Sequence, residues 1–141
     1  MANGYVFDTL CGKRIVFSGD TKPCDLLAKE GQGADLLVHE STFEDGLEVW
    51  NVSCWVTFEH ESVLQGDAER KRHSTMGQAV SVARKMGAKF TALTHFSARY
   101  AKVPVLPEYL DEIGTIGVAF DNMQLRVSDA RRMNRLIPIL R

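Results

Sequence analysis

One short segment, ADLLVHE at residues 34–40, does most to limit what this chain can fold into. Leu36, Leu37 and Val38 follow one another with no polar residue between them, which predicts a short strand buried on both faces. Strands of this kind occur in parallel sheets that are covered by helices. The segment therefore predicts an α/β fold.

The regions around this strand alternate between strand and helix patterns. We predict a capping box at Thr75 and Gln78, and a helix end at Gly87. This order implies a layered α/β sheet with right-handed crossovers. The patterns predict strands at 5–10, 14–18, 34–40 and 89–96, helices at 23–30, 73–87 and 107–113, and a closing hairpin of 116–120 and 123–127 around Asp121 and Asn122.

Bulk properties limit the class of protein. The chain has 141 residues, enough for one domain with a core, and its net charge of −1 gives no overall attraction to nucleic acid. No apolar run approaches the roughly 20 residues that span a bilayer, so we expect no membrane segment. The three cysteines lack CxxC spacing, which predicts free thiols and an intracellular location. Nucleus, cytosol and mitochondrion are not distinguished. Two basic stretches, residues 69–72 and 129–141, are most simply solvated surface.

Polar side chains recur at equivalent places on this map. Asp20, the pair His39 and Glu40, and His95 each follow an apolar strand, and His73 precedes a helix. In open α/β sheets, ligands collect outside the carboxyl ends of the strands, so these groups could converge. Aspartate and histidine are ligands of catalytic zinc sites, in which a metal-held water becomes a nucleophile. Together they predict a metal-assisted hydrolytic site.

Each of these residues also has a simpler interpretation. Asp20 fits a turn residue or a helix cap, and spacing alone favours that interpretation. His39 fits a hydrogen-bonded structural histidine, and Glu40 an ordinary carboxylate at the rim of the sheet. His73 fits an exposed residue before a helix cap. His95 is the hardest to explain without a function, because it follows an apolar strand directly.

Four motifs in order resemble the ribonuclease Z (tRNase Z) family of the metallo-β-lactamase superfamily: FSGDTKPCDLL, LLVHEST, HST and LTHFSARYAKVP. The stretches RYAKVP and GVAFDNMQLRV resemble the carboxyl half of the long form of that family. The resemblance implies the C-terminal half of a metallo-β-lactamase-type αββα sandwich over residues 1–141. It also implies an enzyme that cleaves precursor tRNA after the discriminator nucleotide.

The resemblance also implies a role for each site residue. Asp20 matches the carboxylate that bridges two zinc ions, and His95 matches a terminal ligand of one zinc. His73 matches the histidine that protonates the leaving 3′-oxygen or steadies the scissile phosphate. Glu40 matches the carboxylate that hydrogen bonds that histidine. Arg99, Lys102 and the basic tail could then meet RNA phosphates.

Two departures from the family pattern stand out. The HxHxDH zinc motif and a further histidine ligand of the family do not occur in this sequence, which leaves Asp20 and His95 as zinc ligands. A catalytic zinc needs at least three protein ligands. We therefore expect this chain to need a partner, either an N-terminal half or a second subunit, and its isolated activity is in doubt.

The second departure is residues 49–65, an insertion between HEST and HST that contains both tryptophans and His60. It is either a genuine loop extension or a short intron translated in frame. Two other functions stay open for the chain. It could be an inactive half-domain that binds a partner, or another hydrolase of the superfamily that acts on a small ester or thioester. The HST and AKVP motifs favour the RNA-cleaving members.

Overall fold

A five-stranded sheet organises the chain, and its strands lie side by side in the order in which they occur in the sequence. The computed structural model describes residues 3–45, 71–97 and 105–140. The first two strands are antiparallel and the remaining pairs are parallel. The predicted α/β fold is confirmed. The strands are β1 (Tyr5–Asp8), β2 (Arg14–Phe17), β3 (Leu36–Glu40), β4 (Thr91–Thr94) and β5 (Ile116–Val118).

Helices cover both faces of this sheet. One face packs against four α-helices, and the other packs against a ten-residue 3₁₀ helix through Ala130 and Met133. A sheet covered on both faces buries its central strands, as the apolar run in β3 predicted. The α-helices are α1 (Asp25–Glu30), α2 (Met76–Met86), α3 (Tyr109–Ile113) and α4 (Ile137–Leu140), and the 3₁₀ helix is Val127–Leu136.

Helix α2 has the ends that the sequence predicted. Its N-cap is Thr75, whose side chain accepts a hydrogen bond from the Gln78 backbone N–H, and the Gln78 side-chain oxygen accepts one from the Thr75 backbone N–H. Gly87 ends the helix in the left-handed conformation at φ 63°. These caps satisfy backbone groups that the helix itself leaves unpaired. The helix buries an apolar face of Met76, Ala79, Val80, Val82, Ala83 and Met86.

The predicted closing hairpin is wrong. Residues 123–126 form no strand, and the chain turns at Asn122 into the 3₁₀ helix. A 3₁₀ helix repeats every three residues, so Val127, Ala130 and Met133 share its sheet-facing side. The Asn134 side chain donates to the Ile116 carbonyl at 3.0 Å, so part of the β5 edge pairs with this helix rather than with another strand.

Some predictions fall on parts of the chain outside the described residues. These are the 49–65 insertion, Cys54, and the proposed RNA contacts Arg99 and Lys102. Cys11 and Cys24 are free thiols, as predicted. Within the described ranges, no helix has the length and apolar character needed to cross a membrane.

Candidate metal and catalytic site

Three of the predicted site residues meet at one edge of the sheet. Asp20, His73 and His95 each offer a ligand atom, and these atoms all lie within 4.8 Å of one another. The Asp20 Oδ2 atom is 3.5 Å from His95 Nε2. The rings of His73 and His95 stack with centroids 5.3 Å apart. This edge is where the parallel strands β3 and β4 end, which is why residues far apart in sequence converge here.

Asp20 lies on the segment that follows β2, and its side chain is 59% exposed. Gly19, directly before it, has φ 61°. Helix α1 begins after Cys24, so Asp20 is not its cap. The cap interpretation of Asp20 is therefore wrong, whereas its position in a turn is compatible with a metal-binding role.

His95 follows β4 in a backbone conformation that few residues other than glycine adopt, with φ 60°. Its Nδ1 atom lies 2.8 Å from the Thr42 hydroxyl, and its Nε2 atom lies on the Asp20 side. One ring nitrogen is thus held by the protein while the other faces the cluster. This is the usual arrangement of a histidine that binds a metal.

Glu40 is buried at the end of β3, with 2% of its surface exposed. Its Oε1 atom accepts hydrogen bonds from the Thr21 and Ser74 backbone N–H groups at 2.9 and 3.0 Å. The same oxygen lies 3.0 Å from His73 Nδ1. Its Oε2 atom accepts from the Thr42 backbone at 3.0 Å and from the Thr42 hydroxyl at 2.8 Å. Burial of this carboxylate is compensated by hydrogen bonds on both oxygens.

His73 is placed by a pairing between two loops. Phe43 and Thr75 form a parallel bridge, in which the Phe43 N–H donates to the Ser74 carbonyl at 3.2 Å. The loop after β3 therefore runs beside the segment that leads into α2. This pairing brings His73 over Glu40, although the two residues are 33 positions apart.

The carboxylate of Asp45 accepts a hydrogen bond from the first turn of α2. Its two oxygens accept from the Gly77 N–H at 2.8 and 3.0 Å, and one of them also accepts from the Tyr109 hydroxyl of α3. Burial, foremost, and the neighbouring Asp45 carboxylate raise the pKa of Tyr109 well above its usual range. An anion at a helix N-terminus is favourable because the first N–H groups are otherwise unpaired.

His39 does not join the cluster. It is fully buried, and its Nδ1 atom lies 2.6 Å from the Glu40 carbonyl. Its Nε2 atom has no hydrogen-bond partner among the described residues, and burial lowers its pKa. This environment agrees with the structural interpretation of His39.

Sequence reasoning missed Thr42, which contacts three members of the site. Its hydroxyl lies 2.8 Å from Glu40 Oε2, 2.8 Å from His95 Nδ1 and 3.1 Å from His73 Nδ1. The available signal was its place in the HEST motif, two residues after Glu40. A single threonine has no pattern that marks it out without the fold.

Comparisons with known proteins find similar sequences and similar folds. Residues 2–96 match the family described as "Beta-lactamase superfamily domain". A Caenorhabditis elegans protein, "Zinc phosphodiesterase ELAC protein 2 homolog", is 58% identical over 141 residues, which are 100% of this chain and 15% of that protein. The chain thus spans about a seventh of the length of this curated relative.

Two solved structures are similar in fold. The crystal structure of a long form RNase Z from yeast matches with a TM-score of 0.71 and 29% identity, over 99% of this chain and 17% of that one. The crystal structure of human tRNase Z, short form, matches with a TM-score of 0.60 and 26% identity, over 88% of this chain and 38% of that one. The described sheet and its helices therefore resemble part of each of these larger proteins.

Proposed function

The chain belongs to the β-lactamase superfamily, and from this membership we propose that it forms part of a zinc-dependent endoribonuclease that processes the 3′ ends of precursor tRNA. The observation that carries the proposal is the contact between Glu40 and His73 beside Asp20 and His95. The names of its relatives, zinc phosphodiesterase and RNase Z, support the reaction class.

The cluster fits a zinc ion in both its donors and its spacing. Asp20 and His95 would hold the metal, and the 3.5 Å between their ligand atoms suits two ligands of one ion at about 2.0–2.2 Å each. In the complete site, Asp20 would be shared by two ions. Zinc supplies Lewis-acid polarisation of the phosphodiester and a water nucleophile near neutral pH. The remaining ligands would come from an upstream half or a second subunit that carries the HxHxDH motif.

Glu40 and His73 together would supply the proton that the leaving 3′-oxygen needs. With its Nδ1 atom held by Glu40, His73 has only Nε2 left to face the substrate. A protonated His73 would donate from Nε2 to the leaving 3′-oxygen, and the buried carboxylate would stabilise the imidazolium and fix its orientation. The products would be a tRNA with a 3′-hydroxyl and a trailer with a 5′-phosphate.

Replacement of His73 tests these roles. We expect the chain, combined with a polypeptide that carries the HxHxDH motif, to cleave precursor tRNA when zinc is present. His73→Ala should lower the cleavage rate by about 10²–10⁴-fold, the usual contribution of general acid catalysis. Zinc content should stay unchanged, because His73 is assigned to the proton and not to the metal. Lys29→Ala, at an exposed position on helix α1, is the control and should cleave normally.

Other results would point to other functions. Loss of zinc together with cleavage would make His73 a metal ligand. A well-folded combination that binds its partner without cleaving RNA would favour the inactive half-domain. Hydrolysis of a small ester in place of RNA would favour another hydrolase of the superfamily.

A further inference from the structure

We propose that Thr42 is a positioning residue that fixes the tautomer of His95. In this assignment the Thr42 oxygen accepts the proton on His95 Nδ1, so His95 Nε2 carries a free lone pair on the side of Asp20. The inference rests on the proposed function only where it concerns the metal that this lone pair would bind.

The first step is the direction of the hydrogen bonds at Glu40. Three backbone N–H groups, from Thr21, Ser74 and Thr42, point at its two oxygens. A backbone N–H can only donate, so the carboxylate is the acceptor in each case. The Thr42 hydroxyl, 2.8 Å from Glu40 Oε2, completes this set as a further donor.

The second step is a count of protons at the Thr42 oxygen. A hydroxyl has one proton and two lone pairs. Its proton is used on Glu40 Oε2, so it has only lone pairs to offer to His95 Nδ1, at 2.8 Å. That nitrogen must then be the donor and carry the proton. The neutral ring of His95 consequently has its lone pair on Nε2.

The third step separates the two histidines. His73 Nδ1 lies 3.1 Å from the Thr42 oxygen, but it also lies 3.0 Å from Glu40 Oε1, a second acceptor. Its proton stays on Nδ1 even without the threonine. For His95 Nδ1, Thr42 is the only contact of this kind in the described parts of the chain. Thr42 should therefore matter for the tautomer of His95 and not for that of His73.

This difference between the histidines matters for metal binding. A metal binds the unprotonated nitrogen of imidazole, and the hydrogen bond made by the other nitrogen sets which one that is. Loss of such a supporting partner typically weakens metal affinity by about 10–100-fold. Thr42 would thus act on the metal through His95 without touching it.

The test reads the ring nitrogens of both histidines by ¹⁵N NMR in the full, metal-free chain, at a pH where histidine is neutral. We expect the wild-type protein and Thr42→Ser to carry the proton on Nδ1 in both rings. In Thr42→Val, His95 should move its proton to Nε2 at least in part, whereas His73 stays unchanged. In the chain combined with a polypeptide that carries the HxHxDH motif, zinc affinity should fall about 10–100-fold in Thr42→Val and recover in Thr42→Ser.

Ser41→Ala is the matched control. It removes a neighbouring buried hydroxyl that, among the described residues, hydrogen bonds only the Thr94 carbonyl, at 3.3 Å, and it should change neither ring. A wild-type His95 with its proton on Nε2 would overturn the proposal, whether or not Thr42→Val folds. Equal changes in both histidines would also overturn it. Because the spectrum needs neither zinc nor RNA, its outcome is independent of whether the chain cleaves tRNA.

Discussion

Gly19, directly before Asp20, has φ 61°, a left-handed conformation that glycine adopts without strain. A Cβ atom at Gly19 would lie 2.5 Å from the backbone oxygen of Asn3. We expect Gly19→Ala to lower the free energy of unfolding by more than the roughly 1–2 kcal/mol of left-handed strain alone. Gly12→Ala, at φ 73° with open space around it, should show the strain alone. If urea denaturation shows equal losses of unfolding free energy in Gly19→Ala and Gly12→Ala, the contact with Asn3 does not destabilise the protein.

Single residues also show what sequence can and cannot predict about the site. Asp20, Glu40 and His95 were predictable as a group, because the carboxyl ends of parallel strands meet at one edge. His73, which precedes a helix, joins them through the pairing of Phe43 with Thr75. Thr42 was not, since its partners His73 and His95 lie 31 and 53 positions away and only the fold brings them to it. The left-handed backbone of His95 likewise has no signal in its residue type.

At the scale of elements, Tyr109 links α3 to the start of α2 through Asp45. Tyr109→Phe removes a hydrogen bond to a charged group, so we expect a loss of about 1.5–3 kcal/mol at neutral pH. The raised pKa keeps Tyr109 protonated in the folded chain, whereas the unfolded chain releases that proton near pH 10. The contribution of Tyr109 to the free energy of unfolding is therefore complete below pH 10 and declines as the pH rises further.

The measurement is unfolding by urea from pH 7 to pH 11. The gap in stability between the wild-type protein and Tyr109→Phe should narrow above pH 10. Tyr5→Phe, on the exposed strand β1, is the matched control and should follow the wild-type protein throughout. A gap that stays constant above pH 10 would show that Tyr109 loses its proton equally in both states.

Elements with a clear period were predictable, and the 3₁₀ helix was not. Helix α2 combines a buried apolar face with two caps, and local sequence specifies each of these features. Residues 123–127, MQLRV, alternate like a strand, but their environment decides otherwise. Gly117 has no side chain, and a Cβ there would lie 2.4 Å from Met133 Cβ, so the 3₁₀ helix packs closely on β5. That packing depends on residues outside the segment.

The whole described structure explains why the cluster lies where it does. Apolar groups pack on both faces of β3 and β4, Glu40 is the last residue of β3, and the segments that follow β3 and β4 carry Thr42 and His95. The α/β class followed from the apolar run in β3. The ligands that would complete the proposed zinc site did not, because no HxHxDH motif occurs in this sequence.

If Asp20 and His95 bind zinc together with ligands from a polypeptide that carries the HxHxDH motif, as proposed, zinc must stabilise the combined folded protein. A ligand at 100 times its dissociation constant adds about 2.7 kcal/mol to the free energy of unfolding. In the chain combined with a polypeptide that carries the HxHxDH motif, we expect added Zn²⁺ to raise the melting temperature and a chelator to reverse the rise. Asp20→Asn should lose most of this shift, because a neutral amide is a weaker zinc ligand than a carboxylate.

Asp8→Asn is the matched control, because the Asp8 side chain is similarly exposed (63% against 59%) but pairs with Arg14 on the antiparallel strands. An equal shift in both variants, measured by calorimetry, would place the bound zinc elsewhere on the chain.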